Sequence, residues 1–214
     1  MLRTETVTKE TLALLKELME YPELDNFRLV GGTALSLQYG HRISVDIDLF
    51  TDKATDFNDL SWKLLNHFGK YYEDVRISMM GIFSTIKDVK TDFINWGNEF
   101  AFGEINEGKI RMAAPLDIAA MKLAAITNRK TKKDFFDIAF LLEYFTLTQM
   151  IGVFEKSFYY FDTPNMIKEL VNMDSADIET DPNMLISLTW EQAKQKIIDS
   201  VKDYWKSETT GQNG

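Results

Sequence analysis

Two aspartates lie two positions apart in an alternating segment of the sequence. Over residues 43–50 an apolar residue recurs at every second position, and Ser44, Asp46 and Asp48 lie between these apolar residues. Such alternation is the period of a half-buried strand. Both carboxylates would then leave one face with their Cα atoms about 6.5–7 Å apart, where a hard divalent cation such as Mg²⁺ neutralises their repulsion. A solvated strand face without a ligand explains the pair equally well.

A glycine pair precedes these aspartates. Gly31-Gly32-Thr33 follows a short apolar segment, residues 27–30, that is predicted to be a strand, and it opens a predicted helix at 33–39. Free backbone N–H groups at a helix N-terminus favour a phosphate, glycine permits its close approach, and the Thr33 hydroxyl can add a donor. A plain strand-to-helix turn is the alternative. The sequence has no P-loop of the Walker type.

The two motifs together are more specific than either alone. Residues 27–35 (FRLVGGTAL) and 40–50 (GHRISVDIDLF) resemble the nucleotidyltransferase family of the AbiE abortive-infection toxins (AbiEii/AbiGii), within the polymerase-β-like nucleotidyltransferase superfamily. The resemblance covers residues 7–145 well and the later helices more loosely. It implies transfer of a nucleotide from an NTP to an acceptor with two divalent ions, Mg²⁺ or Mn²⁺. It also implies a toxin of a toxin–antitoxin or phage-defence pair.

In that superfamily a third carboxylate comes from a neighbouring strand. In the β-rich segment 75–96, Asp92 alternates onto the same strand face as Lys90, whereas the rival Asp88 falls in the predicted hairpin turn. The resemblance therefore implies a set of metal-binding, catalytic carboxylates: Asp46, Asp48 and Asp92.

Further residues of the matching stretches are expected to bind the nucleotide. Arg42 is expected to orient or neutralise the acidic site, and Ser44 shares the strand face of the aspartates. The predicted nucleotide-binding residues are Gly31, Gly32, Thr33, Arg42, Ser44 and Lys122.

Lys122 belongs to a second constellation, in the C-terminal half. It interrupts an apolar helix predicted at 116–128, where a lysine needs a partner or a ligand. Asp134 and Asp137 lie one turn apart on the next predicted helix. The family resembled has a lysine and an Arg/Lys-Asp-x-x-Asp run at these places, here with Lys133 as the basic residue. Lys122 is expected to bind the triphosphate or to form a buried ion pair with either aspartate, and all three are predicted catalytic residues.

The elements that position these residues predict an α+β fold, with a small mixed sheet followed by a helical half. We expect a catalytic domain at 1–112, a helical domain at 113–206 that completes an active-site cleft, and a disordered tail at 207–214. Further helices are predicted at 7–20, 59–68, 133–145, 149–161, 164–171 and 190–205.

Composition limits the alternatives. The absence of cysteine excludes disulfides, thiolate metal sites and a cysteine nucleophile, and it fits a reducing cytoplasm. The most apolar window, residues 113–126, is too short for a bilayer and is broken by Asp117 and Lys122, so a membrane protein is not expected. A net charge of −9 argues against broad nucleic-acid binding. The basic run at 129–133 is typical of a solvated loop, with contact to a phosphate-rich acceptor as the alternative.

The sequence therefore predicts a cytoplasmic, metal-dependent nucleotidyltransferase. Its acceptor stays open among RNA, protein and a small molecule such as an antibiotic, and a cognate antitoxin is an expected partner. The competing hypothesis is a catalytically idle nucleotide-binding protein, which would bind NTP without turnover.

Overall fold

The computed structural model describes residues 1–211 and divides into two compact units, residues 1–114 and a second unit that begins at Pro115. The first unit holds one seven-stranded sheet in the order β3-β4-β5-β2-β1-β7-β6. The strands are β1 Arg28–Leu29, β2 Ile47–Thr51, β3 Tyr72–Ile77, β4 Gly81–Ile86, β5 Val89–Asn95, β6 Glu104–Glu107 and β7 Ile110–Ala113. Its helices are α1 Lys9–Met19, α2 Gly31–Tyr39 and α3 Phe57–Phe68.

The sheet is mixed, as predicted. β2 runs parallel to β5 and β1 runs parallel to β7, while the remaining neighbours are antiparallel. The helices that follow belong to the second unit, so the expected α+β fold with a helical C-terminal half is confirmed.

The β4–β5 hairpin turns at the predicted residues. Lys87 and Asp88 have φ angles of 49° and 64°, both in the left-handed region. A two-residue hairpin loop with φ above zero at both positions matches the right-handed twist of the strands that it joins. The turn therefore sets the register of β5, the strand that carries Asp92.

The strand predicted at residues 43–50 is shorter than expected. β2 begins at Ile47, because the backbone N–H of Ser44 donates to the carbonyl of Thr6 at 2.9 Å instead of extending the β2 pairing. Val45, expected on the buried face, is 47% exposed. The buried alternation holds only from Ile47 onward, and Asp46 lies one residue before the strand.

The second unit is helical. Its elements are α4 Pro115–Asn128, α5 Lys132–Leu141, α6 Leu147–Ser157, α7 Thr163–Val171, α8 Asp174–Asp177 and α9 Trp190–Gly211. α4 packs against α5, α6 and α7, and α9 packs against the same three helices. None of the helices in residues 1–211 has both the length and the apolar character that a bilayer crossing requires.

Capping residues explain where two of these helices begin. Thr146 and Gln149 form a reciprocal capping box, so α6 begins at Leu147, two residues before the predicted start. A second capping box, formed by Thr189 and Gln192, opens α9. In the predicted disordered tail, residues 207–211 continue α9, and residues 212–214 lie outside the described residues.

Candidate active site

The sheet brings two of the predicted metal ligands together. β2 and β5 pair in parallel with Asp48 and Asp92 as direct Cα partners. Facing residues on neighbouring strands project to the same side of a sheet, so both carboxylates leave one face. Asp46 is half-buried and precedes β2 by one residue. The rival Asp88 lies in the hairpin turn instead.

Asp92 is the most buried of the three. Its side chain is 8% exposed, and its Oδ2 lies 2.9 Å from the ammonium of Lys90. Its Oδ1 is buried without a hydrogen-bond partner. Leaving a buried carboxylate oxygen unsatisfied costs free energy, so this atom is available to accept from a water or to bind a cation.

Lys90 contacts Asp92, and the sequence did not predict a role for this lysine in the site. Burial opposes the charge of its ammonium, but the hydrogen bond and charge of Asp92, with the charges of Asp48 and Asp46, raise the pKa of Lys90 above its ordinary value. The alternation that puts Lys90 and Asp92 on one strand face could have identified this lysine as a neighbour of the site. The lysine thus lies within the field of all three aspartates.

The three aspartates suit a hard cation by the chemistry of their donors. Among residues 1–211, no group of three acidic, histidine or cysteine side chains forms a ready-made metal cage. Mg²⁺ does not need one, since it binds through one or two carboxylates and completes its shell with phosphate oxygens and water. The facing pair of Asp48 and Asp92 therefore fits a metal that is shared with a substrate.

Gly31 lies against Asp48. Its φ of +69° is in the left-handed region, and a Cβ built on it would lie 2.7 Å from Asp48 Oδ2. Both observations require glycine. The Asp48 carboxylate consequently lies directly beside the backbone at the start of α2.

Gly32 makes room for an arginine. A Cβ built on Gly32 would lie 2.0 Å from Arg42 Nη2 and 3.2 Å from Ser44 Oγ. The Arg42 side chain is buried, and its Nη1 donates to the carbonyl of Ile43 at 2.9 Å. The space beside Gly32 is therefore filled by the protein, whereas the sequence predicts that this glycine permits close approach of a phosphate. The nucleotide-binding roles of Gly32, Arg42 and Ser44 stay predictions.

The Thr33 hydroxyl is hydrogen-bonded within the protein, and its predicted nucleotide-binding role stays a prediction. Thr33 is buried, its Oγ1 donates to the carbonyl of Asp46, and the same atom lies 2.9 Å from Ser44 Oγ. Its proton is thus engaged by the Asp46 carbonyl. Thr33 ties α2 to the segment that carries Asp46.

Lys122 forms a buried ionic cluster within the helical unit. Its Nζ lies 2.7 Å from Asp134 Oδ1 and 2.6 Å from Asp137 Oδ2. The lysine side chain is 6% exposed and both carboxylates are fully buried. Asp134 Oδ2 also accepts hydrogen bonds from Arg129 Nε at 3.1 Å and Thr131 Oγ1 at 2.6 Å. Of the two alternatives for Lys122, the structure shows the ion pair, and the ligand role stays a prediction.

Electrostatics keeps the central carboxylate of this cluster ionised. Burial raises the pKa of Asp134, but the charges of Lys122 and Arg129, together with the hydrogen bonds from Lys122 and Thr131, outweigh burial and lower that pKa below its ordinary value. Asp134 is therefore a charged group in the interior at neutral pH.

The basic run at residues 129–133 is engaged in contacts within its own unit. Lys130 pairs with Glu169. Lys132 is buried, donates to the carbonyl of Glu179 at 2.5 Å, and lies 3.1 Å from Asp181 Oδ1. With Arg129 bound to Asp134, much of the run serves the fold, in place of the expected solvated loop.

The Gly-Gly helix start and the Asp46-x-Asp48 pair are the features whose resemblance predicts a nucleotidyltransferase, and the structure adds Asp92 on a parallel neighbouring strand. The chain matches the family model described as "Nucleotidyl transferase AbiEii toxin, Type IV TA system", where TA denotes toxin–antitoxin, over residues 13–93 and 83–213. The protein belongs to this family of nucleotidyltransferase toxins, and the predicted resemblance and enzyme class are confirmed.

Similar proteins span nearly the whole chain. The protein aq_aa25 of Aquifex aeolicus is 30% identical over 209 residues, which cover 92% of this chain and 96% of that protein. JHP933 from Helicobacter pylori has a similar structure, with a TM-score of 0.56 and 18% identity over 97% of this chain and 98% of that one. The nucleotidyltransferase toxin MenT4 from Mycobacterium tuberculosis matches with a TM-score of 0.52 and 14% identity, over 92% and 86% of the two chains. At these identities the two structures show a shared fold.

Proposed function

We propose that the protein transfers a nucleotide from an NTP to an acceptor with Mg²⁺ or Mn²⁺ held by Asp46, Asp48 and Asp92. The observation that carries this proposal is the parallel pairing of Asp48 with Asp92, whose buried Oδ1 lacks a hydrogen-bond partner. Hard divalent cations favour carboxylate oxygens together with phosphate oxygens. When bound, the metal would neutralise phosphate charge and activate the attacking group.

The protein's own contribution is positioning. Thr33 holds the backbone of Asp46, and Gly31 lets the Asp48 carboxylate approach the start of α2. β5 supplies Asp92 from the neighbouring strand. Because three elements converge on these carboxylates, the donors are ordered before substrate arrives, which lowers the barrier through preorganisation.

The N-terminus of α2 is the proposed phosphate site. Val30, its N-cap residue, gives the first turn no side-chain hydrogen bond, so Gly31 and Gly32 begin the helix without a side-chain cap. Helix N-termini attract phosphate through their N–H groups and the helix dipole. Arg42 and Ser44 lie behind Gly32 and shape this end of the helix.

The partners follow from the family. A Type IV toxin–antitoxin family suggests a cognate antitoxin and an NTP substrate. We place the activity in the cytoplasm, where NTPs are abundant. RNA and protein are two classes of acceptor that the site chemistry allows, since either offers a hydroxyl or a phosphate to the same metal site.

A small-molecule acceptor is the second candidate. The net charge of −9 and the intrachain pairs of the basic run favour a cationic acceptor, such as an aminoglycoside, over a polyanion. The remaining alternative is a catalytically idle nucleotide-binding protein, which binds NTP without turnover.

Two measurements test the proposal. Calorimetric titration of Mn²⁺ in the presence of a non-hydrolysable NTP analogue should show binding by the wild type and none by Asp46→Asn/Asp48→Asn. Each α-³²P NTP is then incubated with Mg²⁺ and total RNA, the protein itself or an aminoglycoside. Label transferred to one acceptor is expected. Nucleotide binding without transfer to any acceptor would establish the idle alternative, and equal metal binding by both proteins would refute the site.

A further inference from the structure

Lys90 lies beside the proposed metal carboxylates on the same strand as Asp92. Its Nζ is 2.9 Å from Asp92 Oδ2. The β2–β5 register pairs Ile47 with Thr91 and Asp48 with Asp92, and Asp46 and Lys90 each precede the first pair by one residue. The lysine therefore contacts Asp92 and lies close enough to Asp48 and Asp46 for their charges to act on its ammonium.

The environment of the lysine head differs from that of its partner. The Lys90 side chain is 56% exposed, whereas that of Asp92 is 8% exposed. An ion pair with one exposed partner is weak, because water and salt screen it and a long side chain must be ordered to form it. The four-carbon stem of lysine can withdraw its ammonium into solvent without disturbing β5.

The positive charge of Lys90 offsets the repulsion among the three carboxylates. Three carboxylates on one face repel one another unless a cation is present. Lys90 is a cation that the chain itself supplies at this place, and it contacts one oxygen of Asp92 while the other oxygen is left without a hydrogen bond. A divalent ion that engages Asp92 would compete with the ammonium for the same carboxylate.

We propose that Lys90 is a built-in counter-ion, which neutralises the acidic face when no metal is bound and withdraws from Asp92 when a divalent cation enters. The inference rests on the proposed metal site at Asp46, Asp48 and Asp92. Lys90 stabilises the metal-free protein and weakens metal binding, so that the ion is held firmly only when NTP phosphates add their oxygens.

The test compares four proteins: wild type, Lys90→Gln, Lys90→Arg and Lys109→Gln. Lys109 is a matched control, because it makes an exposed ion pair with Glu20 in the same unit and its substitution changes the net charge equally. The affinity for Mn²⁺ alone is measured by calorimetry, and the melting temperature is measured in EDTA.

Lys90→Gln should bind Mn²⁺ about threefold to tenfold more tightly than wild type, since a competing and repelling charge is gone. Its melting temperature in EDTA should fall by about 1–4 °C, and saturating Mn²⁺ should restore it. Lys90→Arg keeps the positive charge and should bind Mn²⁺ with the wild-type affinity. Lys109→Gln should match the wild type in both Mn²⁺ affinity and melting temperature.

Three outcomes separate the inference from the proposed function. Mn²⁺ binding that depends on Asp46 and Asp48 but is equal in wild type and Lys90→Gln would overturn the counter-ion role alone. Unchanged Mn²⁺ affinity with a loss of NTP affinity would overturn it in favour of a phosphate contact by Lys90. No Mn²⁺ binding by wild type or Lys90→Gln, with or without the NTP analogue, would overturn the proposed metal site itself.

Discussion

The guanidinium of Arg42 lies where a side chain on Gly32 would have to go. A Cβ at Gly32 would come within 2.0 Å of Arg42 Nη2, and Arg42 is itself buried beside Ser44. The sequence alone predicts that a larger residue at this position crowds the triphosphate, and so weakens NTP binding more than it lowers the melting temperature. The structure indicates instead that a larger residue at this position lowers the free energy of unfolding.

Gly32→Ala should therefore lower the free energy of unfolding by about 1–3 kcal/mol, as overpacking of a filled site does. Urea unfolding measures the change. In an Arg42→Ala background the added methyl group finds space, so the same substitution should cost less, and the difference is the coupling energy of the pair.

Gly152→Ala is the matched control for this prediction. Gly152 lies inside α6, and nothing lies within 4 Å of a Cβ built on it. Alanine is preferred over glycine within a helix by about 0.5–1 kcal/mol, so this variant should be slightly more stable than wild type. Equal effects of Gly32→Ala in the wild-type and Arg42→Ala proteins would show that Arg42 is not the obstacle.

A second prediction concerns the choice between Asp92 and Asp88. Asp92→Asn keeps the shape of the side chain but removes a proposed metal ligand, so nucleotide transfer should fall at least about a hundredfold while the melting temperature holds. Asp88→Asn changes a turn residue with a φ of 64°, a conformation that asparagine tolerates well. This second variant should retain both activity and stability.

Radiolabelled NTP transfer and thermal melting, performed side by side, decide between the two aspartates. A loss of transfer in Asp88→Asn with full activity in Asp92→Asn would reverse the assignment of the third carboxylate. A comparable loss in both would point to a defect in the hairpin.

Local patterns in the sequence predict the elements of this site well. Alternation from Ile47 onward places Asp48 on the strand face opposite the buried residues, and the turn at Lys87 and Asp88 places Asp92 on the strand that follows. These features depend on neighbours within a few positions, which is the range over which strand period and turn geometry act.

Such local patterns do not predict contacts between residues that are far apart in the sequence. β2 begins late because Ser44 bonds to Thr6, and the Thr33 hydroxyl is turned toward Asp46. The role of Gly32 depends on Arg42, whose guanidinium reaches it only in the folded chain. Each of these contacts joins residues about ten or more positions apart, and their geometry follows from tertiary packing and not from period.

A third prediction is the acid sensitivity of the helical unit. The pKa of Asp134 is lowered in the folded protein by Lys122, Arg129 and Thr131, against the opposing effect of burial. Below the ordinary pKa of 3.8 the unfolded chain takes up the proton more readily than the folded one. The stabilisation by the Asp134 charge is therefore complete above that pH and is lost as the pH falls through the folded pKa.

Urea unfolding of wild type and Asp134→Asn between pH 6 and pH 2.5 tests this sign. The stability gap between the two proteins should be largest at pH 5–6 and should narrow below about pH 4. Asp203→Asn removes an exposed ion pair with Lys206 on α9. Its free energy of unfolding should depend on pH in the same way as that of the wild type. A gap that widens in acid would contradict the lowered pKa.

The last prediction concerns Lys122, for which the sequence left two roles open. Its ammonium contacts Asp134 and Asp137, and both carboxylates are fully buried within the helical unit. Lys122→Met leaves two buried carboxylates facing a thioether. Removing one partner of a buried ion pair costs about 3–5 kcal/mol, so we expect a steep fall in melting temperature.

Charge balance offers the complementary experiment. The double variant Lys122→Met/Asp137→Asn removes one positive and one negative charge from the cluster, while Asp134 keeps Arg129 and Thr131. It should recover part of the lost stability, because the remaining carboxylate retains donors. Calorimetric NTP titration of both variants, at a temperature where each is folded, gives the second readout. A Lys122→Met protein that is as stable as wild type but no longer binds NTP would assign the lysine to the substrate and not to the fold.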